Sequence, residues 1–361
     1  MKLIYCTSIA FSDKLAHLVQ IRAMAREFQK KLAEDFWLGV NYKNQEEEDI
    51  KIVCFNTNKS YLLAWRYLRF IKENKIDYVY CREGRLLFFI NFYNKLFFRL
   101  KLKFIYEIHS ILKRSILDSL IDRKLSQCSD FLIFITKNLK DSYLKNYPSS
   151  SNFLVSPDGV DLERFDIPIS QQQARQKLSL PLDKKIIVYT GSFYFYDWKG
   201  VDIMLEAAKY FSDEYLFILV GGRETEIKQI QNKYSLSNVL LIPRQPQSEI
   251  PFYLKAADVL ILPNKKGDIM SEEYTSPLKM FEYMASQRPI VASDLPSIRE
   301  ILNENSALLV EPNNPEALAQ GIKKLLTDKT LIQRLSQQAF LDVKSYTWKR
   351  RVEEIFGFIL K

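Results

Sequence analysis

The 361-residue sequence predicts an α/β protein of two doubly wound domains. Two observations carry this reading. Short β-rich runs alternate with helical patterns from end to end, as parallel sheets with helices on both faces require. A polar, proline-bearing break over residues 166–182 divides the alternation, leaving each part long enough for its own core.

In order, the strand-like runs are 2–6, 51–54, 77–81, 103–108 and 131–136, then 185–191, 215–222, 239–243, 259–263, 289–294 and 307–311. Between them lie helical patterns. The first aligns Leu18, Ile21, Ala25, Phe28 and Leu32 on one face. Another starts at Asn314 with Pro315 at its first position and turns Leu318, Ile322 and Leu325 inward. The break contains Pro168, Pro181 and polar Gln171–Gln173, which sets domains over 1–166 and 182–345. Residues 346–361 read as a last amphipathic helix, with Trp348, Val352, Ile355 and Phe356 on one face, able to cross back to the first domain.

Composition narrows the classes. Hydrophobic residues make up 47% and charged residues 26%, with 10 Gly and 13 Pro, which excludes fibrous and disordered classes. Net charge is +9, with 27 Lys+Arg against 19 Asp+Glu in residues 1–165. That half favours an anionic partner. The four cysteines, Cys6, Cys54, Cys81 and Cys128, lack metal-site spacing and read as buried thiols of a reducing compartment. No secretory signal and no apolar run of about 20 residues is present. The expectation is a cytoplasmic protein, or one peripheral on the inner face of the plasma membrane.

The most informative segment is 275–285, TSPLKMFEYMA. Ser276 suits an N-cap and Pro277 the first helical position. Leu278, Phe281, Met284 and Ala285 form the buried face. Free amides and the dipole make such a helix start an anion site. Lys279 in the first turn opposes the dipole, at a cost of roughly 0.3–1 kcal/mol, and a bound anion reverses that sign. Glu282, one turn on, can accept hydrogen bonds from a ribose. A second segment ends a strand at Gly191, followed by Ser192 and then Lys199 just before a helix. Lys199 can meet a phosphate at the carboxyl edge of the sheet. His109 follows the strand 103–108 and takes the same position in the first domain. Each feature alone also fits an ordinary capped helix, a solvated lysine or a structural histidine.

No G-x-G-x-x-G, no P-loop and no D-x-D occurs. Nicotinamide dehydrogenases, ordinary NTPases and metal-dependent sugar transferases of the D-x-D type are therefore disfavoured.

Together these segments resemble glycosyltransferase family four, the retaining enzymes of GT-B fold. The resemblance rests on Tyr106-Glu107-Ile108-His109, Ser156-Pro157-Asp158-Gly159-Val160-Asp161, Gly191 with Lys199-Gly200, Leu219-Val220-Gly221-Gly222, the run from Ala257 to Pro263, and 276–285 leading into 289–294. It implies two Rossmann-like domains facing a cleft, with a C-terminal crossover helix. It implies a nucleotide-sugar donor held by the second domain. His109 would lie near the donor sugar and Lys199 would stabilise the leaving diphosphate. Amides around Ser276, Pro277, Leu278 and Lys279 would bind phosphate, Glu282 the ribose, and Arg244 would contact the base. Gly191 and Ser192 would line the same site. Two positions depart from the family pattern: Tyr274 replaces the first of two glutamates eight apart, and Ser192 stands where arginine is common.

The expected reaction transfers a hexose from a UDP- or GDP-sugar to a glycan or lipid-linked acceptor in cell-surface polysaccharide or lipopolysaccharide synthesis. Retention at the anomeric carbon follows from the resemblance, and no essential metal or cofactor is expected. A nucleotide-sugar epimerase of similar shape, or a non-catalytic sugar-nucleotide-binding subunit, are the alternatives. Residues 85–104 combine thirteen large apolar side chains, eleven of them within 86–100, with Arg85, Lys95, Arg99, Lys101 and Lys103. Such a basic aromatic stretch suits an anionic membrane surface, or burial as a core helix. Its apolar flanks do not read as nucleic-acid stacking platforms.

Overall fold

The computed structural model describes residues 1–11, 16–43, 49–57, 59–111, 115–193 and 197–361. The chain forms two compact units: Met1–Asp158 with Trp348–Lys361, and Gly159–Thr347.

Among the described residues the main sheet of the first unit holds seven parallel strands: β1 (Leu3–Cys6), β2 (Phe36–Val40), β3 (Ile52–Cys54), β4 (Tyr78–Cys81), β5 (Lys103–Ile108), β6 (Phe131–Phe134) and β7 (Asn152–Val155). Their order across the sheet is β3-β2-β1-β4-β5-β6-β7. The second unit repeats the plan with β8 (Lys185–Thr190), β9 (Tyr215–Gly222), β10 (Val239–Pro243), β11 (Val259–Leu262), β12 (Ile290–Ser293) and β13 (Leu308–Val310), ordered β10-β9-β8-β11-β12-β13. Both sheets are doubly wound. Their chain order reverses between β1 and β4 and between β8 and β11, and crevices for ligands form at the carboxyl ends of such strand pairs.

β1, β2 and β11 are buried along their whole length, as strands covered on both faces must be. The first helix, Ala16–Leu32, buries Leu18, Ile21, Ala25 and Phe28. The Phe28 ring packs against Tyr5, Phe36, Tyr80 and Phe356. Phe356 lies on the last helix, Trp348–Ile359, whose Trp348, Val352 and Ile355 are buried beside it. Each such ring or aliphatic side chain removed from water contributes about 1.5–3 kcal/mol, which ties the chain's end to the first unit.

Several expectations are corrected. β2 and β7 carry no predicted strand. β2 follows the helical stretch through a single 3-10 turn, Ala33–Asp35, so no punctuation separates the two periods. β7 is a short, partly exposed edge strand after a serine run. The division falls at 158/159 rather than within 166–182. The short helices Leu162–Phe165 and Gln171–Lys177 pack into the second unit, where Phe165, Ala174 and Leu180 share a core with Leu254, Phe281 and Met284. Residues 85–104 are not one helix. Gly84–Tyr93 runs into a π-helical turn, Asn94–Phe98, closed by left-handed Arg99 (φ 50°). Of the cysteines, Cys6 and Cys81 are buried, but Cys54 at the end of edge strand β3 is exposed. No helix among the described residues is long and apolar enough to cross a membrane.

Candidate functional site

In the second unit the chemistry-bearing residues converge at the carboxyl edge of β8. Gly191, directly after this strand, has φ 133°, a conformation costly for any residue with a Cβ. A Cβ there would lie 3.0 Å from Lys279 Nζ, so the absent side chain is what lets the lysine approach the strand end. The Thr190 amide donates to the Tyr283 hydroxyl at 2.8 Å, which fastens helix Leu278–Ala285 to the same strand.

That helix starts one residue later than predicted. Pro277, not Ser276, is the cap, at φ −70° and ψ 119°, and it offers no side-chain hydrogen bond. Proline's fixed φ suits an extended residue as well as a helical one, and here ψ stays extended. The helix start therefore keeps its positive end without a side-chain cap. Ser276 is buried immediately before it.

Lys279 in this first turn has its ammonium fully buried, with no hydrogen-bond partner among the described residues. The Tyr189 ring lies close by, 3.8 Å from nitrogen to centroid. Burial pushes its pKa well below the ordinary lysine value, the nearby Lys199 pushes the same way, and Glu282 partly opposes both. Lys199 donates to Ser192 Oγ at 2.7 Å. Burial, then the charge of Arg244, lower its pKa to about 8 against the pull of Glu226. Arg244 itself is exposed, its amide held by the Gly222 carbonyl at 3.1 Å. Two lysines of depressed pKa thus stand beside a helix start that carries no side-chain cap.

Glu282 is buried on the same helix and accepts from Gln247 Nε2 at 2.8 Å. Burial raises its pKa to about 7, with Arg164, Gln247 and Lys279 holding it from going higher. Tyr274, at the departing position, is buried at the end of a π-helical turn, Met270–Tyr274. Such turns recur at functional sites. Glu272 accepts from the Gly267 amide at 2.5 Å and is thereby committed to its own loop.

His109 sits in the first unit, just past β5. Its Nε2 lies 2.5 Å from Glu107 Oε1. Residues two apart on a strand share a face, so His109 and Glu107 meet there. Burial and the Arg82 charge lower the His109 pKa to about 4, overriding Glu107, so the ring is neutral at physiological pH. Burial alone would raise Glu107, but Arg351 and His109 hold it well below the usual carboxylate range. Arg351 arrives from the last helix, 3.2 Å from Glu107 Oε1, and also donates to the Ser156 and Pro157 carbonyls. Gln20 bridges Glu107 and Asp158 at 2.8 and 2.7 Å. Glu107, Gln20, Asp158 and Arg351 are the supporting residues that sequence reasoning missed. Glu107 and Asp158 stood in segments the sequence singled out, without a role; nothing pointed to Gln20 or Arg351.

Two Rossmann-like units of this order define the GT-B class of fold. Solved structures similar along the whole chain agree. HepE of Anabaena in complex with UDP is 16% identical with a TM-score of 0.82, covering 100% of both chains. Sucrose-phosphate synthase from Thermosynechococcus elongatus is also 16% identical at 0.82, covering 100% of this chain and 98% of its own.

Residues 170–342 match the model of the family described as glycosyl transferases group 1. Relatives of the chain include a D-inositol 3-phosphate glycosyltransferase of Xylanimonas cellulosilytica, 24% identical over 63% of this chain and 56% of the relative. A second is the UDP-Gal:alpha-D-GlcNAc-diphosphoundecaprenol alpha-1,3-galactosyltransferase of Escherichia coli, 27% identical over 57% of this chain and 54% of the relative. The aligned stretch thus spans less than two thirds of these relatives' own length.

Proposed function

We propose that this protein is a retaining glycosyltransferase that moves a hexose from a UDP- or GDP-sugar to a glycan or lipid-linked acceptor of cell-surface polysaccharide synthesis. The observation that carries the reading is the buried, unpaired Lys279 ammonium at an uncapped helix start. A buried charge without a partner costs several kcal/mol, and a ligand diphosphate returns that energy.

In this reading the sugar C1–oxygen bond to the diphosphate breaks as negative charge gathers on the leaving group. Lys199, Lys279 and the first-turn amides are preorganised to meet that charge, the type of contribution expected to be largest in such a step. No bound metal is required. Glu282 accepts hydrogen bonds from the ribose hydroxyls, and Arg244 flanks the base. Neutral His109, oriented by Glu107, holds the donor sugar. Retention is supported by the family resemblance. HepE is described in complex with UDP and the galactosyltransferase relative carries UDP-Gal in its name, which favours that nucleotide.

The acceptor reading draws on the surface of the first unit. Phe92, Leu96 and Phe97 are exposed beside Arg85, Lys95, Arg99 and Lys101, as are Ile116, Leu117 and Leu120. A basic apolar surface of this kind favours peripheral contact with anionic lipid, where a lipid-linked acceptor resides.

A thermal-shift screen with UDP, GDP, ADP and their sugars tests the assignment. One nucleotide family should raise the melting temperature by mass action. Slow hydrolysis of the matching sugar nucleotide, abolished in Lys199→Ala, should then separate an enzyme from a binding subunit. Failure of every nucleotide to shift the transition would overturn the proposal.

A further inference from the structure

At the amino-terminal edge of the second sheet, the end away from the donor residues, lies a cavity of about 400 Å³. Lys185 at the start of β8, Asp258 before β11, and Arg288-Pro289 before β12 line it, with Lys329 and Ser336 from helix Lys329–Val343. Arg288 is half-buried and makes no hydrogen bond or ion pair among the described residues. Its Nε is shut off from solvent without a partner, and so is the Ser336 hydroxyl, on a residue only 7% exposed.

The one carboxylate in the cavity is already engaged. Asp258 accepts from Arg175 Nη2 at 2.7 Å, from the Ile186 amide at 2.7 Å and from Gln171 at 3.2 Å. A guanidinium offers five donors and does not discharge at any physiological pH. Left half-buried with none of them used, it carries a desolvation cost that the charge of Asp258 only partly offsets. Lys185 and Lys329, both exposed, add two positive charges at the mouth. The volume lies in the range of small-molecule sites.

We propose that this cavity is a second binding site, for a small phosphate-bearing anion, with Arg288 and Ser336 as its deep contacts and Lys185 and Lys329 as its rim. The site is separate from the donor residues and does not depend on the reading given to them.

Calorimetric titration of the full chain with inorganic phosphate and with glucose 6-phosphate tests it. The titration is run on wild type and on Lys279→Met, so that the donor site does not report. Saturable binding should persist in Lys279→Met. Arg288→Gln should weaken it about tenfold or more, as loss of a charge-assisted contact does, while UDP affinity stays at the wild-type value. If Arg288→Gln does not fold by circular dichroism, Ser336→Ala and Lys329→Ala carry the same test with several-fold losses. Tighter binding of glucose 6-phosphate than of phosphate supports a phosphorylated metabolite as the occupant, and equal binding supports free phosphate. Absence of saturable binding, indifference to these substitutions, or loss of all phosphate binding in Lys279→Met would overturn the inference. The last result would leave the donor assignment standing.

Discussion

Replacing Lys279 with methionine separates what this residue does for the fold from what it does for a ligand. The two side chains are similar in length, and methionine adapts to irregular apolar space. In the free protein the Lys279 ammonium is buried with no hydrogen-bond partner among the described residues, and the Tyr189 ring at 3.8 Å and the charge of Glu282 attract it. The ring contact is worth about 0.5–2 kcal/mol. Burying the charge costs several kcal/mol. The difference predicts that Lys279→Met stabilises the free protein by about 1–3 kcal/mol, or ~3–10 °C for a unit of this size. The same change should remove a charge-assisted contact of about 1.5–3 kcal/mol to the diphosphate, weakening UDP binding roughly 10- to 150-fold. Denaturant melts of the free protein and calorimetric titration with UDP measure the two quantities. A less stable variant, or one that binds UDP as wild type does, would refute the reasoning.

Four further outcomes are expected. Lys199→Ala should lower kcat at least 100-fold with the fold unchanged by circular dichroism, because its charge is aimed at the leaving group; a rate near wild type would remove it from the reaction. The pH profile of kcat/KM should fall below about 7 as Glu282 takes up a proton and can no longer accept from ribose, and fall above about 8 as Lys199 loses its charge; Glu282→Gln should abolish the acid limb only. Because the folded pKa of Glu282 is raised, its ionisation should lower stability as pH rises from the ordinary glutamate range toward 7, and Glu282→Gln should flatten that slope in denaturant melts. Arg351→Met should destabilise the first unit by about 3–5 kcal/mol, since it removes the cation that the buried Glu107 carboxylate faces; a chain melting as wild type does would show that Glu107 does not depend on Arg351.

Much of this was legible before any coordinates. Alternating periods and the carboxyl-edge positions of Gly191, Lys199 and His109 were carried by local pattern. The helix start within residues 276–285 stood out because a lysine in a first turn is locally unfavourable. What escaped was set by distance or by missing punctuation. Arg351 meets Glu107 across 244 residues of chain, which no spacing argument reaches. β2 follows a helix without a break in apolar pattern, and Phe165 and Ala174 sit in a segment whose prolines and glutamines resemble a linker while its apolar residues serve the second core. The cap moved by one residue because proline's φ is compatible with both the extended and the helical state.

The most direct measurement is a crystal structure of the protein soaked with UDP. The diphosphate should stand within hydrogen-bond distance of Lys279 Nζ and of the amides opening the helix at Leu278, with Glu282 on the ribose. A nucleotide bound elsewhere, with the Lys279 ammonium still facing the Tyr189 ring, would contradict the account.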